Sequence, residues 1–340
     1  MSLSEPFLLY AYPWQPFPRR VIIYLRERKI PSSIVKVVHV SDVQFGSKVP
    51  EGFPAKPEGS LPILAIPISR LGNSSSFTAR QQGEQATEKG FIYIKQSLAI
   101  MQFLEEACLS GRYGFPKLPG PVTLPIRNPA IGDISVSEHT HDDGYDDDGA
   151  EAASFARSLD SVRHSELLAL ASSLTDAWNP IRTFGSGTGS MRIPDAAKEM
   201  LGWLHRNLLG IEKWLEEHEY DSLGLNVNVN AGQADNKDNK DKGKESRQAT
   251  VAEIILYQFL DFTYDCYGVD MTMGSGEKVI DVYGREVVQE YPRLKKFYGD
   301  FKTRPSARRV EESGDVPSEQ WVKLMTDWSE GIFEDGQRVK

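Results

Sequence analysis

The sequence predicts a two-domain chain in which an α/β domain is followed by an all-α helical bundle. Three observations predict it. Short apolar runs alternate with helical periodicity up to about residue 110, strand signals then cease, and later apolar residues recur at three- and four-residue steps. A chain of 340 residues has room for two cores of ordinary size. The expected domains are 1–110, with an insertion at 71–90, and 111–340, with flexible loops at 137–151 and 224–249 and an extra C-terminal helix at 318–333.

The elements follow from the residues in order. Phe7-Leu-Leu-Tyr-Ala11 is a buried-strand pattern stopped by Pro13. From Pro16, helical spacing brings Phe17, Val21, Ile22 and Leu25 to one face and leaves Arg19, Arg20, Arg26, Glu27 and Arg28 for the other. Pro16 and Pro18 stand in a first turn, where an amide has no partner within the helix. Ile34–Val38 reads as a second strand, and a strand–helix–strand run implies parallel pairing. Leu61–Ile66 is a third strand entered through Pro62, and Phe91–Ile94 a fourth. A helix starts at Gln96-Ser97, with Leu98, Ile100, Met101, Phe103 and Leu104 as its apolar positions. Between strands three and four, the polar 71–90 stretch is too long for a hairpin turn and reads as an inserted loop.

Beyond Cys108, residues 111–135 form a proline-rich linker and His141–Gly149 an acidic loop whose glycine and acid positions do not follow the order of a calcium-binding loop. Four helices are expected at about 150–178, 194–218, 250–267 and 283–303. The stretch from Gly224, with its Asn-Lys-Asp repeats, is too polar to order itself. Thr250–Glu253 is a capping box, a structural helix start. In the tail, Trp321, Leu324, Met325, Trp328 and Ile332 form one apolar stripe, which fits either a helix completing the core or a lid over a pocket.

Composition sets limits on function. A net charge of −9 argues against nucleic acid and against anionic membranes as partners. No stretch reaches the roughly 20 apolar residues of a membrane span, and the first residues lack the pattern of a secretory signal. The two cysteines, Cys108 and Cys266, form no C-x-x-C pair and sit in apolar helical patterns, as buried free thiols do. No metal site is indicated, and a cytoplasmic protein fits best.

Five patches resemble one family. Gln15-Pro16-Phe17-Pro18-Arg19-Arg20-Val21 is similar to a motif of Ser or Cys, Pro, Phe, two residues, Arg and Val in glutathione S-transferases. Pro57–Leu64 resembles that family's Pro-x-Gly-x-Val-Pro-x-Leu, and Gln96–Ile100 its Glu/Gln-Ser-x-Ala-Ile. Thr250–Glu253, and Tyr291–Lys295 with Arg304-Pro305-Ser306, are like its later helix starts. The patches occur in the family's order.

The resemblance implies a thioredoxin-like N-terminal domain that binds glutathione, followed by the helical domain. Pro62 would then be a cis proline that exposes the backbone of Leu61 to a bound peptide. Gln96 and Ser97 would hold the γ-glutamyl carboxylate at a helix N-terminus, or Ser97 would cap that helix. A family Ser or Cys stabilises the glutathione thiolate where this chain has Gln15, which excludes a mixed disulfide on the protein. Gln15 and Tyr12 both remain as thiolate donors, with Tyr12 alternatively a packed aromatic. The implied activity is conjugation of glutathione, as cosubstrate, to an apolar electrophile by a detoxifying homodimer. Trp178, Phe184, Tyr257, Phe262 and Tyr264 would form the apolar wall. The alternatives are a weakly active or inactive binding protein, and a glutathione-dependent lyase or isomerase.

Overall fold

The computed structural model describes residues 5–41, 48–70, 90–120, 122, 147–186, 191–220, 247–329 and 331–333. It divides into two compact units, one of residues 1–121 with 304–323, the other of 122–303 with 324–340. A single cut near residue 110 had no way to anticipate that the chain returns to its first unit.

The first unit is a thioredoxin-like α/β domain. Its strands are β1 (Phe7–Ala11), β2 (Val35–His39), β3 (Ile63–Pro67) and β4 (Phe91–Lys95), in sheet order β2-β1-β3-β4. β1 pairs with β2 in parallel and with β3 antiparallel, and β3 pairs antiparallel with β4. Helices α1 (Pro16–Glu27) and α2 (Ser97–Ser110) follow β1 and β4. Because strand side chains alternate, Phe7 turns toward Phe103 and Phe115, while Leu8, Tyr10 and Tyr12 join Val38, Ile63, Ala65 and Phe91 in the opposite core.

The charged face expected on α1 is buried. Arg19, Arg20, Glu27 and Arg28 are each at most 8% exposed. Arg19 pairs with Asp315 at 3.1 Å, Arg28 Nε with Glu105 at 3.0 Å, and Glu27 with Arg304 at 2.8 Å. Each charge is buried with a partner distant in sequence, the one arrangement in which burial of an ion is tolerated.

The second unit is helical: α3 (Asp147–Ser186), α4 (Pro194–Glu217), α5 (Val251–Tyr267) and α6 (Pro292–Lys302), with α7 (Glu319–Ser329) divided between the units. α3 begins inside the expected acidic loop and runs through Pro180, past the expected end at 178. Trp178 and Ile181 are buried on either side of that proline, so packing outweighs the one hydrogen bond it removes. α5 ends in the core and its capping box is formed in both directions, Thr250 N–H to Glu253 at 2.7 Å and Glu253 N–H to Thr250 Oγ1 at 3.3 Å. Cys108 and Cys266 are buried free thiols.

Two expectations fail here. The helical domain contains strands, β5 (Lys278–Ile280) and β6 (Glu286–Val288), paired as an antiparallel hairpin. The helix expected from 283 therefore starts at Pro292. The hairpin had a local signature, β-branched pairs around an Asx turn: Asp281 Oδ1 accepts from the backbone N–H of Tyr283 at 2.8 Å and of Arg285 at 2.9 Å. Second, the polar loop ends earlier than 249. Ala249 is buried, and Arg247 forms an ion pair with Glu253.

The tail stripe is only partly inward. Met325, Ile332 and Phe333 are buried, but Leu324 is 54% exposed. Trp328 and Phe333 pack on Trp178 at ring separations of 5.9 and 5.7 Å, in the core of the second unit. The expected insertion loop 71–89, the acidic 137–146 and the polar 224–246 lie outside the described residues.

Candidate functional site

Sheet register brings the expected site residues to one end of the first domain. Tyr10 is opposite Ile63 on β3, and Ile63 is opposite Lys95 on β4. Neighbouring strands lie about 4.8 Å apart, so this row spans roughly 10 Å. One step beyond it stand Ala11, Pro62 and Gln96, and Tyr12 is one residue further along the chain from Ala11. The end of β1, the start of β3 and the end of β4 thus share an edge, and both α1 and α2 begin from it.

The Leu61–Pro62 peptide bond is cis. Pro62 is buried and Leu61 half-buried, and sheet pairing of β3 begins only at Ile63, leaving the Leu61 backbone outside the ladder. Lys56 holds the approach to this turn, its Nζ donating to the carbonyls of Pro57 at 2.9 Å and Gly59 at 2.8 Å.

At the end of β4, Gln96 is exposed and has φ 76°, ψ 121°. A non-glycine residue there carries strain on the order of 1–3 kcal/mol, a cost met most often at functional sites. Gln96 is the N-cap of α2 and makes no side-chain cap bond. Ser97 is therefore the first helical residue and is not the cap. Its hydroxyl, 1% exposed, accepts instead from Arg20 Nε at 2.8 Å. A hydroxyl whose oxygen accepts from a guanidinium has its own proton directed elsewhere, as donation to a carboxylate requires. The guanidinium and the helix dipole together favour an anion at this point.

At the end of β1, Tyr12 and Gln15 part company. Tyr12 is 7% exposed and belongs to the core cluster with Leu8, Tyr10 and Ile63. Gln15 is half-buried, is the N-cap of α1, and makes no side-chain cap bond. Four amides at a helix start lack intrahelical partners. Here Gln15 N–H donates to the Tyr12 carbonyl at 3.1 Å, and Pro16 and Pro18 have no N–H. Phe17 N–H is the remaining donor of that turn.

Arg20, which helical spacing assigns to the face of α1 opposite its apolar residues, is not among the expected site residues, yet it bonds to Ser97. The Arg-Val end of the motif similar to that of glutathione S-transferases carries it. The proposed apolar wall fares differently. Trp178, Tyr257 and Phe262 are at most 4% exposed, and Tyr257 stacks on Phe301 at 4.3 Å. These three rings fill the core of the second unit, because helical spacing identifies an inward face without saying whether a cavity meets it. Phe184 and Tyr264 are half-buried.

Among the described residues, no group of three or more His, Cys, Asp or Glu is placed to hold a metal ion, and no helix is long and apolar enough to cross a membrane. Residues 14–107 match the model of the glutathione S-transferase N-terminal domain. The chain carries a glutathione S-transferase N-terminal domain. That stretch contains Gln15, Arg20, the cis Pro62, Gln96 and Ser97. Among solved structures, the chain is similar to a glutathione S-transferase of Methylobacillus flagellatus KT with glutathione bound, at 15% identity and a TM-score of 0.46, covering 92% of this chain and 100% of that one. A trimeric glutathione transferase of Leishmania gives 13% identity and 0.43, over 97% of this chain and 50% of that one. A family member of Pseudomonas fluorescens Pf-5 with bound glutathione gives 16% and 0.42, over 92% and 100%. No curated protein matches the chain.

Proposed function

We propose that the shared strand edge of the N-terminal domain binds glutathione and that the protein conjugates it to an apolar electrophile. The observation that carries this reading is the hydroxyl of Ser97, held by Arg20 at the start of α2, one strand from the cis Pro62 turn. The γ-glutamyl carboxylate meets Ser97, the α2 N-terminus and the Gln96 amide. The peptide backbone pairs with Leu61 as an added strand. The sulfur then lies toward the start of α1. Lowering a thiol pKa by about two units takes roughly 2.7 kcal/mol of preference for the anion. The Gln15 amide and Phe17 N–H are the donors we assign to it, ahead of Tyr12, whose burial in the core supports the packing role. The thiolate attacks the electrophile and forms the sulfur–carbon bond. An aryl halide loses its carbon–halogen bond and releases halide, whereas an enone opens its carbon–carbon π bond and takes a proton from solvent at the α-carbon. The setting we infer is a cytoplasmic homodimer acting in detoxification.

Gln15 in the family's Ser/Cys position favours one second reading, a binding protein with little or no turnover. Retention on immobilised glutathione tests the site, and assay on a panel of aryl halides and enones then tests conjugation. Retention with turnover supports the enzyme, retention without turnover the binding protein, and no retention contradicts both.

A further inference from the structure

The chain returns to the first unit at Arg304, and from there to Trp321 it follows α1 backwards, from the end of the helix to its start. Arg304 donates to both carboxylate oxygens of Glu27, at 2.9 and 2.8 Å, and the Ser306 hydroxyl donates to the same carboxylate. Next, Arg19 Nη2 donates to the Ala307 carbonyl at 2.6 Å and Arg26 Nη1 to that of Arg308 at 2.8 Å. Asp315 then pairs with both guanidinium groups. Arg19, Glu27 and Asp315 are buried, so lifting this stretch away would strand their charges.

Beyond these anchors the tail meets the turn that joins β1 to α1. Gly314, at φ 65°, comes so close that a Cβ there would stand 2.8 Å from His39 Nδ1 and 3.6 Å from Pro13 Cγ. Trp321 then lies on Trp14, with ring centroids 6.0 Å apart. Pro13 and Trp14 are the two residues between Tyr12 and Gln15. The backbone bond across that turn runs from Gln15 N–H to the Tyr12 carbonyl at 3.1 Å, and Pro13 has no N–H to add to it. The turn therefore leans on packing, and the tail packs on both of its central residues.

We propose, on the reading that glutathione binds at this edge, that the returning tail is a strap that fixes the β1–α1 turn and so aims the Gln15 amide and Phe17 N–H at the sulfur. Gly314 and Trp321 are positioning residues. They touch no reacting atom and act through Pro13 and Trp14. The carboxylate end of glutathione, at Ser97 and Leu61, lies outside the reach of these two contacts, so the strap bears on the sulfur and not on the rest of the ligand.

The test uses the full chain, glutathione, and S-methylglutathione, which has no thiol to ionise. Trp321→Ala should raise the pKa of bound glutathione and lower the thiolate absorbance about three- to tenfold at a pH below both pKa values. Affinity for S-methylglutathione should stay within about twofold. Trp321→Phe, which keeps a ring on Trp14, should hold the thiolate within about twofold of the unaltered chain. Gly314→Ala, which forces the tail off His39 and Pro13, should act as Trp321→Ala does and serves if that variant misfolds. None of the three alters a charge, so a shift reads geometry and not the field of a lost ion. An unmoved thiolate in folded Trp321→Ala or Gly314→Ala protein, an equal loss with Trp321→Phe, or a parallel loss of S-methylglutathione binding would each overturn the proposal alone. Absence of S-methylglutathione binding to the unaltered chain would overturn the glutathione reading and the strap's role with it.

Discussion

The Nε of Arg20 donates to the hydroxyl of Ser97 at 2.8 Å, tying the second turn of α1 to the first residue of α2. Both side chains are buried, at 5% and 1% exposure, so the bond fixes the hydroxyl rather than decorating a surface. Arg20→Gln removes the charge and the fixed donor geometry together. Glutathione affinity should fall by about 1–2 kcal/mol, and a double-mutant cycle with Ser97→Ala should show coupling of at least 0.5 kcal/mol. Additive effects would mean that Arg20 acts on the ligand independently of Ser97.

Gln15→Ala and Tyr12→Phe separate the two thiolate donors. Gln15→Ala should raise the pKa of bound glutathione and lower the conjugation rate by on the order of 10² if the amide is the principal donor. Tyr12→Phe should leave that pKa in place. Thiolate absorbance of the glutathione complex across a pH series reads both.

The carboxyl of Glu253 meets a strong burial penalty, yet Arg247, the Thr250 N–H and Tyr220 hold its pKa down to about 2. A folded-state value below the unfolded one, about 4.3, means stability that is present above that unfolded value and lost as pH falls toward 2. The loss should approach about 3 kcal/mol between roughly pH 4.5 and 2, and Glu253→Gln should abolish that part of the pH dependence. The same pair sets the limit for shortening the polar loop. Replacing 224–246 by a short glycine linker should leave the melting temperature nearly unchanged, whereas a deletion that also takes Arg247 should cost about 3–5 kcal/mol.

Truncation after Ser313 removes Asp315, which pairs with Arg19 at 3.1 Å and Arg26 at 2.6 Å, and with it the tail residues around Trp178. A chain built this way should melt early or aggregate, since Arg19 would be left buried without its carboxylate. A truncated protein of unchanged stability and altered affinity for apolar ligands would restore the lid reading. Asp315→Asn isolates the electrostatic part and should lower stability by less than the truncation does.

Local pattern was enough for the four strands of the sheet, the helices after β1 and β4, and the capping box at Thr250, because each rests on residues adjacent in sequence. The cis turn at Pro62 and the expectation for Ser97 came from family motifs; the cis bond is present, and the register between Tyr10, Ile63 and Lys95 brings Pro62 and Ser97 to the same end of the sheet. What local pattern could not give were the pairings across the chain. Arg19, Glu27 and Arg28 look like a solvated face until Asp315, Arg304 and Glu105 are in place. Trp178 and Tyr257 likewise look like pocket walls until Trp328 and Phe301 cover them. The β5–β6 hairpin had a readable turn at Asp281–Gly284, but a helical context on both sides masked it.

The central claim is that glutathione binds at the edge shared by β1, β3 and β4, and calorimetric titration of glutathione into the intact chain and Ser97→Ala tests it most directly. One equivalent should bind per chain, and Ser97→Ala should cost about 1.5–3 kcal/mol of affinity, the worth of a hydrogen bond to a charged group, with the melting temperature unchanged. Absence of binding to the intact chain, or equal affinity in a folded Ser97→Ala protein, would contradict it.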